Sequence, residues 1–275
     1  MEGELMICPY CGGETHDGSK FCEECGRKLP QNNNYKADTL VKSSEAVFAI
    51  GAAAREARLT ADYSGVEQLS RRGYNCAIIA VLLWGLIVNA VLCATVGNVY
   101  RLMNPALFLI LYFVCCFAGI YIAGRSRNPL VSFLGYNMIV VPFGLTVSTL
   151  VEAYGGINSQ VVRDAFIYTT LISVGMLGTS IAFPELFKNL GGALLGCLIG
   201  LIVCEVVLLL FRVDQIVTDW IAAGLFSLYI AYDIHRSQQF TPTLDNAVDC
   251  ALDIYMDIAN LFIRLLRIMS KSKKE

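Results

Sequence analysis

The sequence predicts an all-α integral membrane protein, a seven-helix transmembrane bundle carrying a small N-terminal zinc ribbon. Three observations predict it. Hydrophobic residues make up 56% of the 275 and charged residues only 16%, too few charges for an ordinary water-facing surface. Seven apolar runs, each near the roughly 20 residues that a hydrocarbon core requires, fill the chain beyond its first quarter. Four cysteines at the start stand in two CxxC pairs, the spacing of a closed metal site.

The domain plan follows from these shifts in composition: a zinc ribbon at 1–29, a linker and juxtamembrane segment at 30–72, and the bundle at 73–270. The net charge of −2 supplies no basic field that would attract nucleic acid. The first residues lack a basic start followed by an apolar core, so no cleaved leader is expected, and the first apolar helix should serve as an anchor.

The head reads ICPYCGGETHDGSKFCEECGRKLP. Cys8, Cys11, Cys22 and Cys25 can close a tetrahedron of thiolates around zinc with no open position, which makes a structural site. Gly12 and Gly26 follow the second Cys of each knuckle, where the backbone turns tightly around sulfur. Disulfides or a redox CxxC are the competing reading, and no βαβ pattern surrounds the pairs to favour it. His16 lies between the knuckles and reads as a solvated loop residue. A head this small buries too little apolar area to fold alone, so metal binding should supply its folding energy. Its expected uses are docking a protein partner or stabilising the N-terminus. The other seven cysteines lie in apolar runs, where Cys behaves as a small hydrophobe.

Pro30 to Ser44 reads as a linker, and Glu45 to Leu69 as an Ala-rich surface helix. Arg71 and Arg72 then mark a cytoplasmic flank by the positive-inside rule. The apolar segments fall near Cys76–Val99, Ala106–Gly124, Pro129–Val151, Ala165–Pro184, Leu190–Phe211, Ile216–His235 and Ala247–Ile268. In the fifth, Gly192, Gly196 and Gly200 form a small-xxx-small ridge that permits close helix contact. Glu205, farther along it, reads either as a second polar element of a path or as a protonated carboxyl bonded to a neighbour. Alternation puts the ribbon in the cytosol, where thiols stay reduced. It also puts the tail bearing Lys271, Lys273 and Lys274 outside, against the charge rule.

The last segment carries the functional signal. With Asp257 at zero degrees on a helical wheel, Asp249, Asp253, Asn260, Arg264 and Arg267 fall within an arc of roughly 80°. Ionisable groups are rare at bilayer depth and usually face a bundle interior or a water path. One segment earlier, AYDIHR places Asp233 near a membrane boundary. The competing reading is an amphipathic helix lying in the headgroup region, its charges matched to its own dipole.

SLYIAYDIHR, followed by NAVDCALDIYMDIANLFIRLLRI, resembles the closing signature of the transmembrane Bax-inhibitor-motif family. GYNMIVVPFGLTVSTLVEAYGG and DAFIYTTLISVGMLG are similar to its third and fourth helices. The resemblance covers roughly Arg72 to Met269 and leaves out the head. It implies six helices around a central C-terminal one, with the polar stripe facing inward. It also implies a pH-sensitive calcium leak, a link to suppression of cell death in eukaryotes and, in some bacteria, modulation of a membrane protease. The family's aspartate pair carries over to Asp233 and Asp257, and Arg125 is the nearest match to a basic residue late in the second helix.

Two aspartates on adjacent helices would also suit an intramembrane aspartyl protease, whose acids share one proton. Tyr232-Asp233 fits the first half of that pattern. Asp257 follows Tyr255-Met256 rather than a GxGD turn, and no Pro-Ala-Leu comes after it. The expectation is therefore a non-enzymatic protein: a proton-sensitive cation leak, or a membrane regulator that engages a membrane protease or other partner through its ribbon. Carboxylates suit hard cations such as calcium.

Overall fold

The computed structural model describes residues 5–7, 14–16, 59, 68–125 and 128–272, apart from the side chains of residues 5–7, 14–16, 124, 125 and 272. The chain divides into two compact units, residues 1–66 and 67–275. In the first, strands β1 (Leu5–Ile7) and β2 (Glu14–His16) pair antiparallel, with Met6 opposite Thr15. Cys8 and Cys11 fall in the connection between them. All four cysteines of the expected zinc site lie outside the described residues, as do most of the linker and the expected surface helix.

The second unit contains seven long helices: α1 (Arg71–Thr95), α2 (Pro105–Arg125), α3 (Pro129–Ala153), α4 (Gln160–Ala182), α5 (Gly191–Leu210), α6 (Ile216–Ser237) and α7 (Leu244–Ser272). Polar caps explain where several begin. Ser70 Oγ accepts from the Gly73 amide, Asn104 from Ala106, Asn128 from Leu130 and Thr243 Oγ1 from Asn246, each satisfying an amide that has no partner in the first turn. Pro129 occupies the first turn of α3, where its missing donor costs nothing. Between α3 and α4 the chain turns through Gly155 and Gly156 at φ 99° and 77°, a conformation open to glycine without a side-chain penalty.

The helices alternate in direction. At one end, the Leu69 amide donates to Pro242 O (2.7 Å), Arg71 to Phe240 O (3.0 Å) and Ser132 to Asp245, which gathers the starts of α1, α3 and α7 with the end of α6. At the other, Val99 bonds Thr149, Gln215 bonds Glu205 O and Lys271 reaches Asp214. There the ends of α1, α3, α5 and α7 meet the start of α6. The Asp214 carboxyl, hydrogen-bonded by the Lys271 ammonium, is held below its usual value. Its contribution is present above the unfolded-state value and is lost as pH falls through the lowered one.

α7 is the axis of this unit. It packs against α6, α1, α4 and α3, and no residue from Asp245 to Lys271 is exposed. The helix is therefore enclosed, not laid along an interface. The outer helices have the reverse pattern: Leu83, Ile87, Ile110, Phe117, Leu171, Ile202 and Val206 all face outward. Apolar surface on that scale belongs in lipid, not water. Helices α1 to α5 are long and apolar enough to cross a membrane. The charges of α6 and α7 keep them from qualifying on composition, and an enclosed helix has no need of a lipid-compatible surface.

Candidate functional site

The site is built where α6 and α7 run side by side in opposite directions. Asp257 sits midway along α7 and is buried; Asp233, four residues before the end of α6, is half-buried. Their carboxyl groups meet as hydrogen-bonding partners, with Asp253 the next carboxylate in electrostatic range. Two carboxylates in such contact need a shared proton, because otherwise acceptors face acceptors. Asp257 Oδ2 is buried with no hydrogen-bond partner. A buried acceptor left open is costly, so this atom is the one most ready to take a proton, a water or a cation.

The surroundings hold this pair in place. Tyr255, fully buried two residues before Asp257, exchanges hydrogen bonds with Asn89 of α1 (2.8 and 3.1 Å). Tyr136 of α3 packs edge-on to the Tyr255 ring, with centroids 6.0 Å apart, and its hydroxyl donates to Val81 O. Next to Asp233, the Tyr232 ring lies so close to Gly191 that a β-carbon there would collide with the hydroxyl. Arg236 stacks over the rings of Tyr232 and Phe240, at 6.0 and 5.4 Å.

Two turns beyond Asp257 on α7, Arg264 joins a second charged group. Its Nη2 donates to Glu205 Oε2 of α5 at 2.9 Å, and its Nη1 reaches Glu205 Oε1 and Asp219 Oδ1 of α6, the latter at 2.9 Å. Arg267 Nη1 lies 3.6 Å from the same Asp219 oxygen. Glu205 is thus one half of a bidentate pair with Arg264. Asp219, which the sequence reading passed over, is its companion. The available signal was an acid inside the apolar run IVTDWIAAG.

Among the described residues, no group of three or more His, Cys, Asp or Glu side chains is placed to hold a metal ion. The dyad offers carboxylate oxygens, the ligand type that hard cations take. The side chain of Arg125, the basic residue matched to the second helix, lies outside the described residues.

An enclosed helix whose buried Asp257 meets Asp233 of its neighbour, wrapped by apolar helices, defines an integral membrane protein with a polar interior. The chain belongs to the family described as Inhibitor of apoptosis-promoting Bax1, which matches residues 66–274. The uncharacterized protein YvbI of Bacillus subtilis is 24% identical over 192 residues, covering 65% of this chain and 79% of its own. Mouse Protein lifeguard 4 is 28% identical over 154 residues (55% of this chain, 62% of its own), and the Golgi anti-apoptotic protein of vaccinia virus strain Lister is 27% identical over 156 residues (55% and 62%).

Proposed function

We propose that this protein is a pH-sensitive leak channel for calcium or a similar hard cation, gated by the Asp233–Asp257 pair. The observation that carries the reading is the buried Asp257 carboxyl on the central helix, set against Asp233 of α6 and with one of its oxygens left open. While the two share a proton, they bridge α6 and α7. When that proton is lost, the bridge becomes a repulsion of about 4 kcal/mol for charges about 4 Å apart at an effective dielectric near 20. That is comparable to the difference between two packings of one bundle, so the change can move α7 against α6. Once ionised, the same oxygens are ligands for the cation.

In this reading all seven helices cross a prokaryotic cell membrane. The ribbon lies in the cytoplasm and holds one structural zinc through Cys8, Cys11, Cys22 and Cys25, and no step is enzymatic. A second reading is a non-catalytic membrane regulator whose ribbon engages a membrane protease or other partner. The name of the viral relative, an anti-apoptotic protein, agrees with a regulatory role, and this reading is compatible with the first.

Purified protein in liposomes tests the channel. Calcium entry should depend on pH in the wild type, and Asp257→Asn and Asp233→Asn should each abolish or strongly flatten that dependence. Asp253→Asn should leave most of it. Flux that keeps its full pH dependence in both dyad variants would remove the latch.

A further inference from the structure

Seven residues along a helix advance it by about 10 Å and return the side chain to within about 20° of its starting direction. Arg264 therefore follows Asp257 on one face of α7, and an ion leaving the dyad along the polar stripe meets it as the next charged group. The guanidinium is fixed from two sides: Glu205 grips it with both oxygens from α5, and Asp219 holds Nη1 from α6. Side-chain exposure is 13% for Arg264, 19% for Glu205 and 2% for Asp219, so solvent does little to loosen the contacts. Charge-assisted bidentate bonds of this kind fix direction as well as distance. The two carboxylates and the guanidinium groups of Arg264 and Arg267 cancel in charge, but they are not equivalent to an empty path. The carboxylate pair that a cation would use is already filled by a cation belonging to the chain.

α5 gives the arrangement its mechanical meaning. Among the described residues its one extensive helix neighbour is α6. Among the described residues, a β-carbon at Gly192, Gly196 or Gly200 would meet nothing within 4 Å, so their ridge is not a close helix contact. The reach of Arg264 to Glu205 ties α5 to the central helix by a charged contact.

We propose that Arg264 is a tethered cation that closes the route beyond the dyad by occupying the Glu205–Asp219 carboxylate pair. The inference rests on the leak reading, for which it names a second closure distinct from the aspartate latch. With Arg264 in place, a fixed positive charge repels an arriving calcium ion and the oxygen ligands are taken. With the guanidinium removed, the same position offers two carboxylates to the ion.

The full-length protein in liposomes tests this, with calcium and chloride entry followed by separate lumenal dyes. Arg264→Gln should raise calcium entry by about tenfold or more, as expected when a neutral charge group lining a cleft becomes net negative, with chloride entry unchanged. Arg264→Lys keeps the charge and should stay within about threefold of the wild type. The double variant Arg264→Gln/Glu205→Gln removes the closest pair together and leaves Asp219 with Arg267, so that no buried charge of that pair is stranded. It should also raise calcium entry, and it carries the test if the single variant folds poorly. Calcium entry near the wild-type value in both glutamine variants overturns the proposal. So does a parallel rise in chloride, which would mark Arg264 as a brace whose loss makes the bundle leak. Wild-type flux that responds to pH while both glutamine variants match it would reject the closure and leave the leak reading standing. Absence of calcium flux from every variant at every pH would reject both.

Discussion

Tyr255 stands two residues before Asp257 and has no exposed surface, and its hydroxyl serves Asn89 as both donor and acceptor. The ring rests between Tyr136 and Phe143, both edge-on. Two glycines clear the space for this cluster: a β-carbon at Gly85 would strike the Tyr136 hydroxyl, and one at Gly144 the Asn89 amide. The cluster pins α7 to α1 one half-turn from the dyad, so Tyr255 is a positioning residue for Asp257. Tyr255→Phe keeps the ring and strands a buried amide, which should cost about 1–3 kcal/mol. The measurable outcome is a lower thermal unfolding midpoint in detergent with the helix content retained. An unchanged midpoint would mean that the Asn89 amide finds other partners at no cost.

At the level of elements, each of the seven apolar runs falls on a helix, and five of those helices are long and apolar enough to cross a membrane. Hydropathy misplaced some ends. α1 begins at Arg71 and not near Cys76, since Ser70 caps a first turn of polar residues that hydropathy discounts. α4 begins at Gln160, and α7 runs from Leu244 to Ser272, longer than its apolar run. Asp233 and Asp257 were legible as a pair through their sequence motif. The Glu205–Asp219–Arg264 group was not, because its members come from three helices and no spacing links them. The head belongs to this scale too. Its β1–β2 pairing brackets the first CxxC, and three-residue strands do not persist without further support. Zinc should provide that support through Cys8, Cys11, Cys22 and Cys25. Elemental analysis of the protein purified without chelators under reducing conditions should find one zinc per chain, and a value near zero would remove the ribbon.

The whole bundle turns a conflict of charges into a question of sides. The start of α1 shares one end with the end of α6 and the start of α7, whereas Lys271 meets Asp214 at the other. If the unit spans the membrane as one body, α7 must cross with it, and the two ends of the chain segment 71–271 lie on opposite sides. Counting loop charges alone would bring the lysine-bearing tail inside. Two arguments weigh against that count. Arg264 and Arg267 are not loop charges, because Glu205 and Asp219 hold them within the bundle. The first helix usually sets orientation, and Arg71 and Arg72 stand at its start. A helix as polar as α7 is also costly to insert alone, so it should enter late, against partners already in place. The expected topology is an odd number of crossings with the ribbon in the cytoplasm and the tail outside. Fusions after Glu275 decide it: alkaline phosphatase should be active there, and a green fluorescent protein should stay dark. Bright fluorescence with inactive phosphatase would mean an even number of crossings, and the central helix would then have to reach its place without spanning the bilayer.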